Sequence, residues 1–295
     1  MKNFLIRSIK ILGISLLVFI AVFGLLLWTG IIWRSPAYYS VAATKNFAVP
    51  IMDMKAYDSA GDHSRPYIYQ LSSGKGSVYV LGIEHTKNCN DAQIDSIRNI
   101  WNAYQPDVAL VEGRLGFLFS GLQDPVEAHG EGGETVRLAK KAGIPFYTWE
   151  PEKSAEIKLM LQRYDAKQLA IFYSLRPYFS NYRFGKPSDP DRVMQEYIDS
   201  RTDKDGIRGQ IKNVAAIDSF WKETYPGAKD WRETSDEYGW PEGWLSDIAA
   251  ESNITRDIHL CSVILELVNS GKKVFVTMGS SHAFRIRQTL EAEVR

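Results

Sequence analysis

Two stretches of this chain end alike. Val78-Tyr79-Val80-Leu81 runs into Gly82-Ile83-Glu84-His85, and Val274-Phe275-Val276-Thr277-Met278 runs into Gly279-Ser280-Ser281-His282. Each is an apolar run closed by Gly-x-x-His. With 22 Gly and 5 His among 295 residues, fewer than one such pairing is expected by chance. Two further apolar runs end in carboxylates: Val111 precedes Glu112, and Trp149 precedes Glu150. Two imidazoles and two or three carboxylates, counting Glu84, form a donor set for a divalent transition metal. The same groups suit general acid–base work near neutral pH. The plainer reading of any one of these residues is structural: a hydrogen-bonded histidine, a solvated Glu84, or Glu150 capping a helix after Pro151. Arg256 beside Asp257 reads as a solvated charged pair near a helix start, or as a clamp for a carboxylate or an oxyanion. His259 reads as a core histidine, and His63 and His129 fall in expected loops with no partner pattern.

Such a site needs a scaffold that brings distant segments together. Ser77–Leu81, Asp107–Val111, Ile144–Trp149 and Lys273–Met278 read as buried strands. A helix capped by Asn90 or Asp91 follows the first, with Ile94, Ile97, Ile100 and Trp101 on one face. Another, about Glu134 to Ala142, stops at Gly143. Asn253–Asn269 is a strong helix stopped by Gly271, and a last helix starts near Ala283. Strands alternating with helices predict an α/β fold with a mostly parallel central sheet and flanking helices. In such sheets ligands bind beyond the carboxyl ends of the strands. Glycine there is expected to let the backbone turn sharply, so that the histidine projects into the crevice.

Between about 152 and 251 lies an expected helical insertion. Ala155–Leu175, Arg192–Ile198 and Ile211–Thr224 have helical spacing. The stretch Trp231–Trp244, with three Trp and one Tyr, packs on the core or walls a cleft.

The N-terminus carries an anchor. Ile11–Trp33 has no charge over 23 residues, a reach of about 35 Å against a hydrocarbon core of about 30 Å. Lys2, Arg7 and Lys10 precede it and Arg34 follows, which orients the N-terminus to the cytoplasm and the rest of the chain across the membrane. Trp28 and Trp33 fall where an interfacial aromatic belt would lie. The small residues Val41-Ala42-Ala43 leave signal cleavage open. The expected organisation is a stub and anchor over 1–34, a tether over 35–75 and the α/β domain over 76–295. Equal numbers of basic and acidic residues, 35 of each, argue against nucleic acid as a partner. Cys89 and Cys261 either pair, as an oxidising compartment allows, or remain separate thiols.

With both Gly-x-x-His motifs, Glu112 and the Arg256 helix, the sequence resembles the TraB/PrgY/GumN–TIKI superfamily, of which erythromycin esterase and haem-binding ChaN proteins are more distant relatives. The resemblance covers Val78–Thr86, Val108–Arg114, Gly143–Pro151 and Asn253–Leu290. It implies His85, His282 and Glu112 as site residues and Arg256 as the matching helix arginine. Some members look like divalent-metal-dependent proteases acting outside the cell. Two departures stand out: Ile83 follows the first glycine where a small hydroxyl residue is common, and Ala-Phe-Arg follows His282. The implied function is a membrane-anchored metallohydrolase using Mn, Co or Zn on a secreted or membrane-proximal peptide. In that reading Glu84 or Glu150 is the base and Arg256 stabilises the oxyanion. The alternative is a non-catalytic module that binds haem or a peptide at the membrane surface.

Overall fold

In the computed structural model the four apolar runs form strands, and segments outside them complete the sheet. The structure describes residues 2–42, 46–236 and 239–295, with side chains from Arg7 onward. Ala43, of the small-residue stretch, and Tyr238, of the aromatic stretch, lie outside them. The chain divides into two units. One comprises Met1–Pro50, Ala60–Glu150 and Leu260–Arg295, the other Ile51–Ser59 and Pro151–His259.

The first unit begins with helix α1, Lys2–Trp28. Its stretch Arg7–Trp28 is long and apolar enough to cross a membrane, and none of it is buried. Strands β1 (Ile32–Trp33) and β2 (Ala37–Tyr38) come next, then β3 (Tyr67–Ser72) and β4 (Ser77–Ile83). Helix α3 (Ala92–Tyr104) leads to β5 (Val108–Val111) and β6 (Leu118–Phe119). Helix α4 (Pro125–Ala142) leads to β7 (Phe146–Thr148). The end of α9 (Trp244–Asn269), β8 (Lys273–Gly279) and α10 (Ser280–Glu293) complete the unit.

The main sheet runs β2-β7-β5-β8-β4-β3. All neighbours are parallel except β3, which pairs antiparallel with β4 from Tyr67↔Gly82 to Ser72↔Ser77. The last strand, β8, fills the gap between β4 and β5, so three chain-distant strand ends lie side by side. Its core joins Leu81, Ile83, Ala109 and Phe275 to Ile94, Ile97 and Trp101 of α3. Asp91 caps α3 by accepting the Gln93 N–H at 2.9 Å.

Three expectations about the first 75 residues change. The supposed tether supplies β2 and β3, because Tyr67-Ile68-Tyr69 is a β-forming run that pairs once the Ser73–Gly76 turn closes. The anchor helix stops at Trp28 rather than continuing to Trp33. Trp33 is buried with Val111, Leu118 and Val136, under the Lys140 ammonium, so it is a core residue and not part of an aromatic belt. Apolarity alone cannot separate the end of a membrane span from a buried strand that follows it.

The second unit is helical: α2 (Met54–Ser59), α5 (Lys153–Met160), α6 (Ala166–Asn181), α7 (Pro190–Arg201), α8 (Val214–Thr224) and the start of α9. Ala155–Leu175 is two helices, because Asp165 and Gln168 form a capping box that starts α6 afresh. Trp231 is 1% exposed, and Trp240 lies 5.1 Å from Phe172 and 4.9 Å from Phe179 between ring centres. The tryptophans at 231, 240 and 244 all pack on the unit's core, so this stretch is packing material.

Candidate functional site

Glu112, the first residue past β5, stands between the two motif histidines. Its Oε2 is 3.9 Å from His85 Nε2, and its Oε1 is 3.8 Å from His282 Nε2. The Gly279 N–H donates to Glu112 Oε2 at 2.8 Å. Three strand ends, those of β4, β5 and β8, thus supply one cluster.

The two glycines work by their lack of a side chain and not by turning the backbone. Neither has a positive φ. A Cβ on Gly279 would lie 3.1 Å from His85 Nε2 and 3.6 Å from Glu112 Oε2, so its absence makes room for both groups. A Cβ on Gly82 would lie 2.6 Å from Ala283 Cβ and 2.9 Å from Tyr67 O, so this glycine seats α10 against the sheet.

The histidines differ in setting. His282 lies inside the first turn of α10, which starts at Ser280 and not near Ala283. It is 6% exposed, and its ring meets the buried Trp149 edge-on at 5.4 Å. Trp149 is itself fixed by an Nε1–H bond to Thr277 O at 3.2 Å. His85 is more open, and its Nδ1 lies 2.6 Å from Glu131 Oε1. A carboxylate only accepts, so Nδ1 carries a proton, and in the neutral ring Nε2 is the nitrogen with the lone pair.

Glu131 was not among the expected site residues. It sits on α4, which begins at Pro125, nine residues before the expected start. The helix is kinked at Gly130, with φ 63° and ψ −152°. There a Cβ would lie 2.8 Å from Thr86 O, and on Gly133 it would lie 2.0 Å from Pro125 O. The sequence signal was present: Gly130-Glu131-Gly132-Gly133 sets one carboxylate among three glycines, which marks close backbone approach. His129, expected in a loop, lies in this helix.

The other expected residues have partners of their own. Glu84 is exposed and pairs with Arg65 at 3.3 Å. Glu150 follows Trp149, and its N–H donates to Thr148 Oγ1 at 3.3 Å; the cap position of α5 is Glu152. Arg256 belongs to the second unit, mid-way along α9, with Nη1 donating to Asn253 Oδ1 at 3.3 Å. Arg256 and Asp257 are both buried, which overturns the solvated-pair reading: α9 starts at Trp244, so they sit in a helix interior. His259 is half-buried. Cys89 and Cys261 form no disulfide. Cys89 donates to Glu127 at 3.6 Å, whereas Cys261 is fully buried on α9.

The donor chemistry fits a divalent ion: two imidazole Nε2 atoms, one carboxylate, and a second carboxylate behind His85 of the kind that orients metal-bound histidines. Two ligands about 2.1 Å from one tetrahedral ion lie roughly 3.4 Å apart, whereas the contacts here are 3.8 and 3.9 Å. As placed, no three described His, Cys, Asp or Glu side chains form a ready metal cage.

Fold and site define a mixed α/β protein with an imidazole–carboxylate–imidazole cluster at adjacent parallel strand ends and one apolar helix near its N-terminus. No protein-family model matches the chain, and no curated protein matches it.

Proposed function

We propose that the protein is a membrane-anchored hydrolase of the TraB/PrgY/GumN–TIKI kind, acting outside the cytoplasm on peptide bonds. The observation that carries the reading is Glu112 between two imidazoles at 3.8 and 3.9 Å, with the outer nitrogen of His85 held by Glu131. A divalent ion would be held by His85, Glu112 and His282 and would supply Lewis acidity toward a carbonyl oxygen.

The chain's own residues account for the rest. Glu131 fixes the ring and tautomer of His85, so Nε2 faces the cluster as a base or a ligand. The Gly279 N–H holds Glu112 in place. Trp149 walls His282 on one side and keeps water from that face. With Glu84 exposed against Arg65, the base role rests with Glu150 or with the cluster itself. Arg256 is the oxyanion residue on the strength of the resemblance alone. Basic residues at the start of α1, ahead of its apolar stretch, favour a cytoplasmic N-terminus, with the site on the far side. Haem or peptide sequestration loses its sequence argument, since the tryptophans that suggested it are core residues.

The test is cleavage of a peptide library by the full-length protein with added Mn²⁺ or Co²⁺, wild type against His282→Ala. Cleavage by the wild type that His282→Ala loses supports the reading. Equal activity in both overturns it.

A further inference from the structure

The end of α1 and the loop after Glu112 meet in a two-stranded ribbon. β1 pairs antiparallel with β6, Ile32↔Phe119 and Trp33↔Leu118. Ser120 ties the ribbon to the helix exit: its N–H donates to Ile31 O at 2.8 Å and its hydroxyl to the same carbonyl at 3.1 Å. The ribbon therefore starts four residues after the last helical residue, Trp28.

Both residues of β1 are buried, whereas β6 and its flanks expose apolar side chains. Side chains alternate across a strand: Leu118 is fully buried, while its neighbours Phe117 and Phe119 are 62% and 41% exposed. Leu122 is 85% exposed, Ile31 45% and Trp28 84%. Among the described residues outside α1, six large hydrophobic side chains are exposed, and four of them are these: Ile31, Phe117, Phe119 and Leu122. Scattered singly such residues need no explanation, but a contiguous group marks a contact surface.

We propose that the segment Phe117–Leu122, with Ile31, is a membrane-seating foot that sinks into the bilayer interface beside α1. The occupant follows from continuity. If α1 spans the bilayer, Trp28 leaves it at the interface, and three residues cannot carry Ile32 more than about 14 Å away. The foot, held to Ile31 and Ile32 by hydrogen bonds, lies at that same depth. Phenylalanine and leucine on a face next to a membrane span are the residues that enter the headgroup boundary. This rests on reading α1 as a membrane span.

The foot also bears on the site. Glu112 and Leu118 are six residues apart, at most about 21 Å of chain, and a Cβ on Gly116 would lie 3.6 Å from His129 Cε1, two residues before Glu131. Seating the foot therefore fixes the cluster near the bilayer and favours substrates that are themselves membrane-bound.

The test uses the full chain carrying Cys89→Ser, reconstituted in phosphatidylethanolamine–phosphatidylglycerol vesicles and labelled with an environment-sensitive fluorophore at one new cysteine. Leu122→Cys and Phe117→Cys report the foot. Lys75→Cys, on the β3–β4 hairpin at the sheet edge opposite β2, is the water control. Leu17→Cys reports α1. Lipids spin-labelled near the headgroup should quench residues 117 and 122 several-fold more than residue 75, and lipids spin-labelled deep in the chain should quench residue 17. Residues 117 and 122 quenched no more than 75, with residue 17 quenched, overturns the foot and leaves the anchor standing. An unquenched residue 17 overturns both.

Discussion

Each unit encloses a carboxylate, and the two enclosures differ in kind. In the helical unit Glu156 is surrounded by donors: Lys153 Nζ at 2.5 Å, Ser252 Oγ at 2.6 Å and Tyr173 OH at 3.0 Å, with Arg176 at 3.9 Å. Burial alone would raise its pKa, but the Lys153 and Arg176 charges and the hydrogen bonds from Lys153 and Ser252 outweigh that and hold it down at about 2. In the sheet unit Glu112 faces two imidazoles and one backbone N–H. Fixed cations around a carboxylate make a permanent structural charge. Imidazoles, which change protonation near neutral pH and bind metals, make a centre that can do chemistry.

The largest effect that bears on this contrast is on stability. Glu156→Ala removes the buried acceptor shared by Lys153, Ser252 and Tyr173 and should cost about 3 kcal/mol, read from urea denaturation; a loss under about 1 kcal/mol would remove the structural role. The pH dependence has a definite sign. The folded pKa of Glu156 lies below its ordinary 4.5, so its contribution is present above 4.5 and is lost as pH falls from there toward about 2. Glu156→Gln should flatten that acid slope.

The next effect separates the two motif glycines. Gly82→Ala drives a methyl against Ala283 and the Tyr67 backbone and should cost about 1–3 kcal/mol. Gly279→Ala meets side-chain ends that can move, so stability should fall by under about 1 kcal/mol while the proposed peptide cleavage drops. Equal stability losses in the two variants would mean that both glycines only serve packing.

Glu131→Gln keeps the shape but removes the charge behind His85. The proposed cleavage should fall about 10–100-fold, with a shifted pH–rate profile; an unchanged profile would make Glu131 a packing residue. The smallest effect is expected at Cys89, whose thiol donates to Glu127 at 3.6 Å: Cys89→Ser should change stability by no more than about 0.5 kcal/mol, and a larger loss would point to a role for that contact.

Legibility followed locality. Strands at 77–83, 108–111, 146–148 and 273–279 were readable because a strand buried on both faces is a continuous apolar run. The edge strand β3 was not, since it mixes Tyr and Gln with Ile and Leu and exists only through pairing with β4. Glu131 was missed because its partner is 46 residues away and the approach depends on the Gly130 kink. Trp33 was assigned to the membrane because a buried strand and the end of an apolar span share one composition.

By itself the sequence determined the parallel strands, the apolar N-terminal helix and the three residues His85, Glu112 and His282, all of which are signalled by short-range pattern. Tertiary structure decided what those patterns mean. The insertion of β8 between β4 and β5 set the two motifs side by side around Glu112. Packing turned their glycines into spacers and drew the end of the apolar run into the core. The physical reason is that hydrophobic periodicity is a local property of the chain, whereas strand order and close backbone approach are fixed only when distant segments bury their surfaces together.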